Sequence, residues 1–427
     1  MISIKAKKSN LTRNIFIALI LGIIVGVIFN KMPESKLIDE IIVGKGMAFI
    51  GSLFIRSIKM LVAPLVFFSI VCGSSSIGDI KKLGRVGGKT LGFYLTTTAI
   101  AISISIVLAL LINPGIGLDL SQISSQQPTI KEAVPLGDVL LNMIPKNPIK
   151  ALADGEMLQI IVFSILLGIA MSLVGEKAEP VKRVFDGMNE MMLKMVTMIM
   201  YIAPIGVFGL LVKTFSELGF EAMIYLGKYM LTVIFALIVH GVVTYLGALK
   251  TLGKVSPIQF IKNFAPAMSV AFSTATSSGT LPVTTEMVEE RCGVSKEVAS
   301  FTLPLGATIN MDGTAIMQGV AVIFIAQVYG ITLTVPQILT VVMTATLASV
   351  GTAGVPGVGL ITLSMVLQAV NLPVEGIGLI MGIDRILDMT RTAVNITGDA
   401  VCTILIAKSE SEFNEDIFYK DNKEIAL

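Results

Sequence analysis

Tryptophan is absent from this chain of 427 residues, and histidine, cysteine and charge are all scarce. There is one histidine and there are three cysteines, and charged residues make up only 15% of the chain against 54% for hydrophobic ones. Together with a mean hydropathy of +0.84, these proportions lie far outside the range of soluble globular proteins. The composition therefore predicts an integral membrane protein that is surrounded mainly by lipid.

The scarcity of reactive side chains excludes several kinds of site. Cys72, Cys292 and Cys402 are far apart in the chain, which fits neither a disulfide framework nor a metal-ligand motif. His240 has no second histidine with which to share a metal, so we interpret it as a hydrogen-bonded structural residue. Without a nucleophile beside a base, or a metal cluster, an intramembrane enzyme is the weaker hypothesis. A net charge of +2 without a basic run also makes nucleic acid an unexpected partner.

Apolar segments long enough to cross the hydrocarbon core of a bilayer, about 30 Å thick, occur along the whole chain. We predict eight spans: Ile15–Asn30, Met47–Cys72, Thr90–Ile112, Met157–Leu173, Met191–Leu211, Tyr225–Leu249, Ser300–Tyr329 and Ile377–Ala407. The first of these follows a basic N-terminus but precedes no small-residue cleavage site, so we expect a retained membrane helix and not a signal peptide.

Charge in the short connections predicts the orientation of the spans. Positive residues collect at the N-terminus, at Lys81–Lys89 and at Lys177–Arg183, which all fall on one side of the membrane. The connections on the other side, Lys31–Glu40 and Phe215–Ala222, are acidic. Because Lys and Arg are retained on the cytoplasmic side, both termini are expected to be cytoplasmic in an inner or plasma membrane. The polar stretch Asn113–Pro148 is then an external loop.

Two apolar stretches, Val270–Val283 and Ala345–Gly359, are interrupted by small residues and proline, and neither makes a good spanning helix. They contain STATSSGTLPV and SVGTAGVPGVG, and each precedes a motif with an Asn and an Asp that we expect in a helix: INMDGTA (Ile309–Ala315) and VNITGDA (Val394–Ala400). The order of parts indicates a duplicated unit, a hairpin followed by a helix.

Backbone that is not helical at membrane depth must be buried in protein or line a cavity, because unpaired N–H and C=O groups are costly in hydrocarbon. Exposed carbonyls suit sodium, and amides at a helix N-terminus suit carboxylates. The alternative is a pair of kinks that serve packing only. Two interruptions in matching positions favour a binding site.

The last span concentrates charge on one face. In Met381–Ala400 polar residues recur every three to four positions: Asp384, Asp388, Arg391 or Thr392, Asn395 and Asp399. Each charge costs roughly 2.5–3.5 kcal/mol at the centre of a membrane helix, so this face cannot contact lipid. We expect Asp384 to pair with the adjacent Arg385.

The residue types on this face suggest their chemistry. The planar guanidinium of Arg391 can bind a carboxylate through two hydrogen bonds, and Asp388 can accept from an ammonium group. Together they match a zwitterion with an extra acid group. Asp399, expected near Asp312, offers hard oxygen ligands for a cation. The alternative is that the charges only pair with one another to hold helices together, although buried pairs stabilise poorly by themselves.

The motifs SSGTLP, GATINMDGTA, SVGTAGVPG and DMTRTAVNITGDA resemble those of the dicarboxylate/amino acid:cation symporter family, the glutamate transporters. The resemblance covers nearly the whole chain. It implies an all-α fold of eight transmembrane helices plus two re-entrant helical hairpins with inverted repeats, assembled as a homotrimer. It also implies sodium-coupled symport of aspartate or glutamate by an elevator-type alternating-access motion.

The resemblance further implies a division of the chain into a scaffold and a moving transport domain. Residues 1–75 would form scaffold spans 1 and 2, and residues 76–112 span 3 of the transport domain. Residues 113–220 would form the external loop and scaffold spans 4 and 5. Residues 221–427 would form span 6, hairpin 1, span 7, hairpin 2, span 8 and a cytoplasmic tail, with hairpin 2 as the gate.

Site residues carry over from the family motifs one by one. Arg391 resembles the arginine that holds the side-chain carboxylate of the substrate, and Asp388 resembles the acid that binds its amino group. The other implied substrate contacts are Ser277, Ser278, Thr314, Val355, Gly359, Thr392 and Asn395. The implied sodium ligands form three sets: Gly306, Asn310, Asn395 and Asp399; Thr308, Met311, Ser349, Val350 and Thr352; and Tyr94, Thr97, Thr98, Asn310 and Asp312.

The chain departs from the family pattern in places. Ala275 stands where some prokaryotic relatives have an arginine, and Arg385 supplies a charge in the last span, as in the animal transporters. Gln318 replaces the glutamate that the animal transporters use for potassium and proton coupling, which favours coupling to sodium alone. Glu289 and Glu290 leave a proton role open.

Some alternatives stay open at the level of sequence. The motifs do not decide between aspartate and glutamate. The nearest rivals are a sodium- or proton-coupled carrier of C4-dicarboxylates or of neutral amino acids with the same fold. A channel would need rings of like groups and not one asymmetric charged pocket.

Overall fold

The computed structural model describes residues 4–33, 35–77, 85–118, 141, 144–219, 222–349 and 357–420. Helices make up most of these ranges, and their one extended pairing is an isolated bridge between Val294 and Phe413. The prediction of an all-α chain is confirmed for this part of the protein.

The described part of the N-terminal half consists mostly of long helices with one short helix among them. They are α1 (Ile4–Lys31), α2 (Ala48–Ile77), α3 (Arg85–Ile112), α4 (Pro148–Asp154), α5 (Met157–Val174) and α6 (Glu179–Leu218). A π-helical segment, Leu37–Met47, leads directly into α2, and a 3₁₀ turn, Gly175–Ala178, joins α5 to α6.

The described part of the C-terminal half has more helices, and most of them are shorter, apart from one long helix near its end. They are α7 (Ala222–His240), α8 (Pro257–Thr274), α9 (Ser277–Glu290), α10 (Lys296–Ile309), α11 (Asp312–Val328), α12 (Val335–Ser349), α13 (Val358–Ala369), α14 (Ile377–Ser409) and α15 (Glu415–Tyr419). Two π-helical segments, Gly241–Leu246 and Leu249–Gly253, extend α7.

The length and composition of the described helices identify a membrane protein. Six helical runs are long and apolar enough to cross a bilayer: Arg13–Lys31, Leu37–Ser75, Arg85–Ile112, Gln159–Ile199, Met223–Gly253 and Lys296–Val328. The predicted fourth span and part of the fifth fall in a single one of these runs, because only the short 3₁₀ turn separates α5 from α6. The predicted eighth span corresponds to α14, which is long but carries charged residues.

Packing brings together helices that are far apart in the sequence. Helices α1, α2, α5 and α6 pack against one another, whereas α3 packs mainly against α11 and α12. Helix α14 lies among α7, α8, α10 and α11, and it also touches α6. The charged face of α14 is therefore covered by protein, as its charges require.

The first interrupted stretch forms a helical hairpin, as predicted. Helix α8 ends at Thr274, and Ala275 adopts a left-handed conformation with φ +50°. Thr276 then caps α9, because its Oγ1 accepts a hydrogen bond from the amide of Gly279 at 3.2 Å. The turn thus reverses the chain between two short helices. The second interrupted stretch runs from the end of α12 to Gly357, and its residues 350–356 lie outside the described ranges.

The predicted seventh span is not one helix. Helix α10 ends at Ile309 and α11 begins at Asp312, with Asn310 and Met311 in non-helical conformations between them. The expectation that INMDGTA lies within a helix is therefore wrong for these two residues. Asn, Asp and Gly are weak helix formers, which favours a break at this point. The side chain of Asn310 hydrogen-bonds to α14.

The segment that follows α14 contacts the start of α3. Glu410 accepts hydrogen bonds from Arg85 and from Lys89, the latter at 2.7 Å. Phe418 of α15 is fully buried, and its carbonyl accepts from the side chain of Asn263 in α8 at 2.8 Å. These contacts tie the first hairpin, α3 and α14 together.

The ion pairs of Glu410 predict a pH dependence. Hydrogen bonds from Arg85 and Lys89 lower the pKa of this carboxyl from 4.5 to about 2. Because the folded-state pKa is depressed, the stabilisation is complete above the unfolded value and is lost as the pH falls toward 2. We expect the difference in melting temperature between the wild type and Glu410→Gln to be constant at neutral pH and to shrink below about pH 4.5. Thermal unfolding of detergent-solubilised protein checks this, and a difference that stays constant down to pH 3 contradicts it.

Candidate functional site

The break between α10 and α11 lies directly against the middle of α14. The side-chain amide of Asn310 donates to the carbonyl of Asn395 at 2.8 Å and to Oδ1 of Asp399 at 2.9 Å. The side-chain oxygen of Asn395 in turn accepts from the amide of Gly313 at 2.7 Å. Three of the four residues predicted as the first sodium set, Asn310, Asn395 and Asp399, are thereby brought together.

The fourth member of that set, Gly306, lies close to Asp399 because it has no side chain. A Cβ at Gly306 would lie 2.5 Å from Oδ1 of Asp399 and 2.5 Å from the hydroxyl of Tyr94. No side chain other than hydrogen fits in that space. The side-chain oxygen of Asn310 is buried in this cluster and has no hydrogen-bond partner among the described atoms. An unpaired oxygen beside a buried carboxylate is a suitable ligand for a hard cation.

A second buried carboxylate, Asp312, lies at the start of α11. It accepts hydrogen bonds from Thr98 at 2.6 Å and from Tyr245 at 2.7 Å, and the Nε2 of His240 is 3.0 Å away. The interpretation of His240 as a hydrogen-bonded residue is confirmed, but its partner is a predicted sodium ligand, which the sequence did not indicate. Tyr94, on the same face of α3 as Thr98, is fully buried.

The remaining members of the third and second sodium sets make mostly local contacts. Thr97 donates to the carbonyl of Tyr94 at 3.2 Å, and Thr308 donates to that of Leu305 at 2.9 Å. The sulfur of Met311 accepts from the amide of Asn395 at 3.5 Å. Ser349 is buried at the end of α12 and donates to the carbonyl of Thr346 at 2.7 Å. Val350 and Thr352 lie outside the described residues.

Arg391 is the largest fully buried side chain in the described structure, with 1% of its surface exposed. Its Nη2 donates to Oδ1 of Asp388 at 2.9 Å. Its Nη1 lies 3.0 Å from Oδ1 of Asp384, at an angle that does not make a hydrogen bond. The guanidinium is therefore held between two acids of its own helix, one turn and two turns earlier.

The expected pairing of Asp384 with Arg385 is wrong. Arg385 lies 3.5 Å from Asp388 instead, and Asp384 contacts Arg391. Residues that are three, four or seven apart share a helix face, whereas adjacent residues point in directions about 100° apart. Helical geometry thus selects the distant partner over the neighbour.

Several polar atoms around Arg391 make no hydrogen bond among the described atoms. Its Nε and Nη1 and the Oδ1 of Asp384 are buried without a hydrogen bond among the described atoms. Gly359 of α13 lies against the guanidinium, since a Cβ there would be 3.3 Å from Nη2. Buried donors of a charged group normally find acceptors. The arrangement is that of a guanidinium with unused capacity to bind an anion.

The other predicted substrate contacts lie at different distances from Arg391. Thr392 donates to the carbonyl of Asp388 at 2.8 Å, within the same helix. Thr314 is half-buried in the first turn of α11, next to Gly313, whose Cβ would meet the backbone of Arg391 at 2.7 Å. Ser277 is buried at the start of α9, while Ser278 is exposed. Val355 lies outside the described residues.

Sequence reasoning missed residues whose role depends on tertiary contacts. Tyr245 and His240 lie in an ordinary apolar run, so nothing in the sequence pointed to Asp312 as their partner. Gly398 is a second example, because a Cβ there would lie 2.3 Å from the hydroxyl of Tyr245 and 2.5 Å from Nδ2 of Asn310. The signal available for Gly398 was its place between Asn395 and Asp399 in the motif VNITGDA.

Comparisons with known proteins show which family this chain belongs to. The profile of the family described as "Sodium:dicarboxylate symporter family" matches residues 11–409. The chain is 39% identical over 417 residues to the "Proton/sodium-glutamate symport protein" of Geobacillus stearothermophilus, covering 96% of this chain and 97% of the relative. It is 38% identical over 417 residues to the "Proton/glutamate-aspartate symporter" of Escherichia coli (strain K12), covering 95% and 94%.

A relative that is named for a different substrate has only slightly lower sequence identity. The "C4-dicarboxylate transport protein" of Bacillus subtilis (strain 168) is 34% identical over 412 residues, which cover 95% of each chain. The chain belongs to the sodium:dicarboxylate symporter family.

Proposed function

We propose that this chain is a secondary transporter that carries aspartate or glutamate across the membrane by symport with sodium. The observation that carries the proposal is the fully buried guanidinium of Arg391, whose Nε and Nη1 make no hydrogen bond among the described atoms and which lies beside an acceptor at Asp388. Relatives of this chain are named as symporters of glutamate, or of glutamate and aspartate. The family and these relatives are symporters and not enzymes.

An acidic amino acid matches the charges of this site group by group. Its side-chain carboxylate can bind Nε and Nη1 of Arg391 through two parallel hydrogen bonds. Its ammonium group can bind Asp388, which Arg391 and Arg385 contact. The acids Asp384 and Asp388 then serve as internal partners that keep the buried guanidinium neutralised until the substrate arrives.

The rival substrates fit less well. A neutral amino acid would leave Nε and Nη1 of Arg391 buried without a hydrogen bond, which is costly for a charged group. A C4-dicarboxylate would bring a second carboxylate toward Asp388 where the amino acid has its ammonium group, and like charges at that distance repel. Because one relative is named as a C4-dicarboxylate carrier, a dicarboxylate is tested as a competing substrate.

Sodium is the proposed coupling ion. The buried oxygens of Asn310 and Asp399, with Asn395 and the backbone at Gly306, offer hard ligands of low total charge. Asp312 offers a second position together with Tyr94, Thr97 and Thr98. The third proposed set is Thr308, Met311, Ser349, Val350 and Thr352.

Coupling to sodium without protons is supported by Gln318. This residue is buried in α11 and donates from its amide to Thr362 at 2.8 Å. An amide in this position cannot carry a proton across the membrane as a carboxylate can. One relative is named for both proton and sodium. The coupling ion is therefore measured directly, with imposed sodium and proton gradients.

The proposed architecture is that of the family: eight spans, two re-entrant hairpins and a homotrimer with cytoplasmic termini. Helices α1, α2, α5 and α6 would form the scaffold, and α3 with α7 to α14 the transport domain. The packing of α3 against α11, far from it in sequence, supports this division. The transport domain would move like an elevator, with the second hairpin as the gate. The substrate itself would bind through Arg391 beneath that gate.

The central test is uptake into proteoliposomes. With an inward sodium gradient, labelled aspartate or glutamate is expected to accumulate, and imposed proton or potassium gradients alone are expected to drive none. Succinate and alanine added in excess should compete weakly, because each lacks one of the two charged groups that the site pairs. Accumulation that is indifferent to sodium would contradict the coupling, and preferential uptake of succinate would contradict the substrate.

Arg391→Cys tests the central residue. The change removes the partner of the substrate carboxylate, and we expect affinity for aspartate to fall by about two orders of magnitude or more, with neutral amino acids gaining relative affinity. Calorimetric titration of the purified protein in saturating sodium measures both. Unchanged aspartate affinity would remove the assignment of Arg391.

Gly306→Ala tests the first sodium set. The added methyl would overlap the carboxylate of Asp399, and overpacking of this kind costs roughly 1–3 kcal/mol, so we expect sodium affinity to fall about tenfold. Gly92→Ala is the matched control, because a Cβ at Gly92 meets nothing within 4 Å. The sodium dependence of aspartate binding gives the affinity of each variant, and equal behaviour of the two would refute this role for Gly306.

A further inference from the structure

Tyr229 is a buried polar side chain that the proposed site does not yet use. It lies in α7 with no exposed surface, and its ring packs against Phe324 of α11 with the ring centroids 5.1 Å apart. Its hydroxyl has no hydrogen-bond partner among the described atoms. Buried hydroxyls without partners are rare in native structures because the unmet hydrogen bond is costly. Such an atom needs an explanation.

Helix α7, which carries this hydroxyl, packs against α14, although the two are far apart in sequence. Tyr229 interacts electrostatically with two charged residues of α14, Asp384 and Arg391. Those two residues form an ion pair, with Oδ1 of Asp384 3.0 Å from Nη1 of Arg391. Tyr229 thus offers an unpaired donor on a helix that packs against the helix of this ion pair.

Binding of the substrate changes what Asp384 needs. When a carboxylate of the substrate binds Nε and Nη1 of Arg391, the guanidinium gains another acid as a partner in addition to Asp384 and Asp388. Asp384 then shares its cation with a competitor in a site where it is 5% exposed. A buried carboxylate that loses its donor is strongly disfavoured. A neutral hydroxyl stabilises the charge without competing with the substrate for Arg391.

We propose that Tyr229 is a positioning residue for acidic substrates: its hydroxyl donates to Asp384 when the substrate carboxylate occupies Arg391. This inference rests on the proposed function of Arg391. While Asp384 pairs with Arg391, the hydroxyl makes no hydrogen bond among the described atoms; with the substrate bound, it holds Asp384 away from the bound carboxylate. Tyr229 thereby favours the loaded state without contacting the substrate.

The variant Tyr229→Phe removes only the hydroxyl. For the purified full-length protein in saturating sodium, we expect the Kd for aspartate to rise about tenfold, the loss of one hydrogen bond to a charged group. The melting temperature without substrate should stay the same or rise, because an unpaired buried hydroxyl is lost. The rise in melting temperature on adding aspartate should become smaller.

Tyr225→Phe is the matched control. Tyr225 lies one turn earlier in α7, and its hydroxyl approaches Gly117, not α14. This variant is expected to bind aspartate as the wild type does. If the wild type binds no acidic amino acid, the proposed function fails and this inference with it. If the wild type binds aspartate and Tyr229→Phe binds it equally well, only the role of Tyr229 is refuted.

Two further outcomes separate this role from simpler ones. A lower melting temperature of unloaded Tyr229→Phe, with unchanged aspartate affinity, would mean an ordinary structural hydrogen bond and would overturn the proposal. In the Asp384→Asn background, Tyr229→Phe should cost much less affinity than in the wild type, since the carboxylate is gone. An equal cost in both backgrounds would mean that the hydroxyl contacts the substrate directly, which also overturns the proposal.

Discussion

Burial of the Arg391 guanidinium in the middle of an apolar helix bundle constrains everything around it. A charge at this depth needs partners, and α14 supplies them from its own sequence through Asp384 and Asp388. The charged face must also be shielded from lipid, so α7, α8, α10 and α11 surround it. The break at Asn310 and Met311 follows the same rule, because non-helical backbone at this depth is tolerated only inside protein.

The two buried carboxylates beyond Arg391 differ in how they are held. Among the described atoms, the carboxylate of Asp399 accepts one hydrogen bond, from the side-chain amide of Asn310. The side-chain oxygen of Asn310 has no hydrogen-bond partner there. Asp312 already accepts from Thr98 and Tyr245 and contacts His240. A cation at Asp399 therefore adds ligands to an incomplete set, whereas a cation at Asp312 joins a network that is largely satisfied. The two positions are thus expected to differ in affinity.

Much of the site was predictable because its chemistry is local in sequence. The periodicity of Asp384, Asp388, Arg391, Asn395 and Asp399 showed one charged helix face, and the small residues around Ala275 showed a hairpin. The predicted pairing of Asp384 with Arg385 was wrong because it weighed sequence proximity above helical geometry. The helix expected through INMDGTA was wrong at Asn310 and Met311, because Asn, Asp and Gly are weak helix formers and the apolar periodicity around them does not record where a helix breaks.

Composition and spacing alone indicated that this chain is a helical membrane protein, that Val270–Val283 interrupts its helices, and which helix carries the charges. These properties depend on composition and on spacing within one segment, which the order of residues records directly. Only the tertiary structure decided which acid holds Arg391, that His240 and Tyr245 meet Asp312, and that Tyr229 packs against Phe324. Those contacts join residues far apart in the chain, and they exist only because the packing of the helices brings the side chains together.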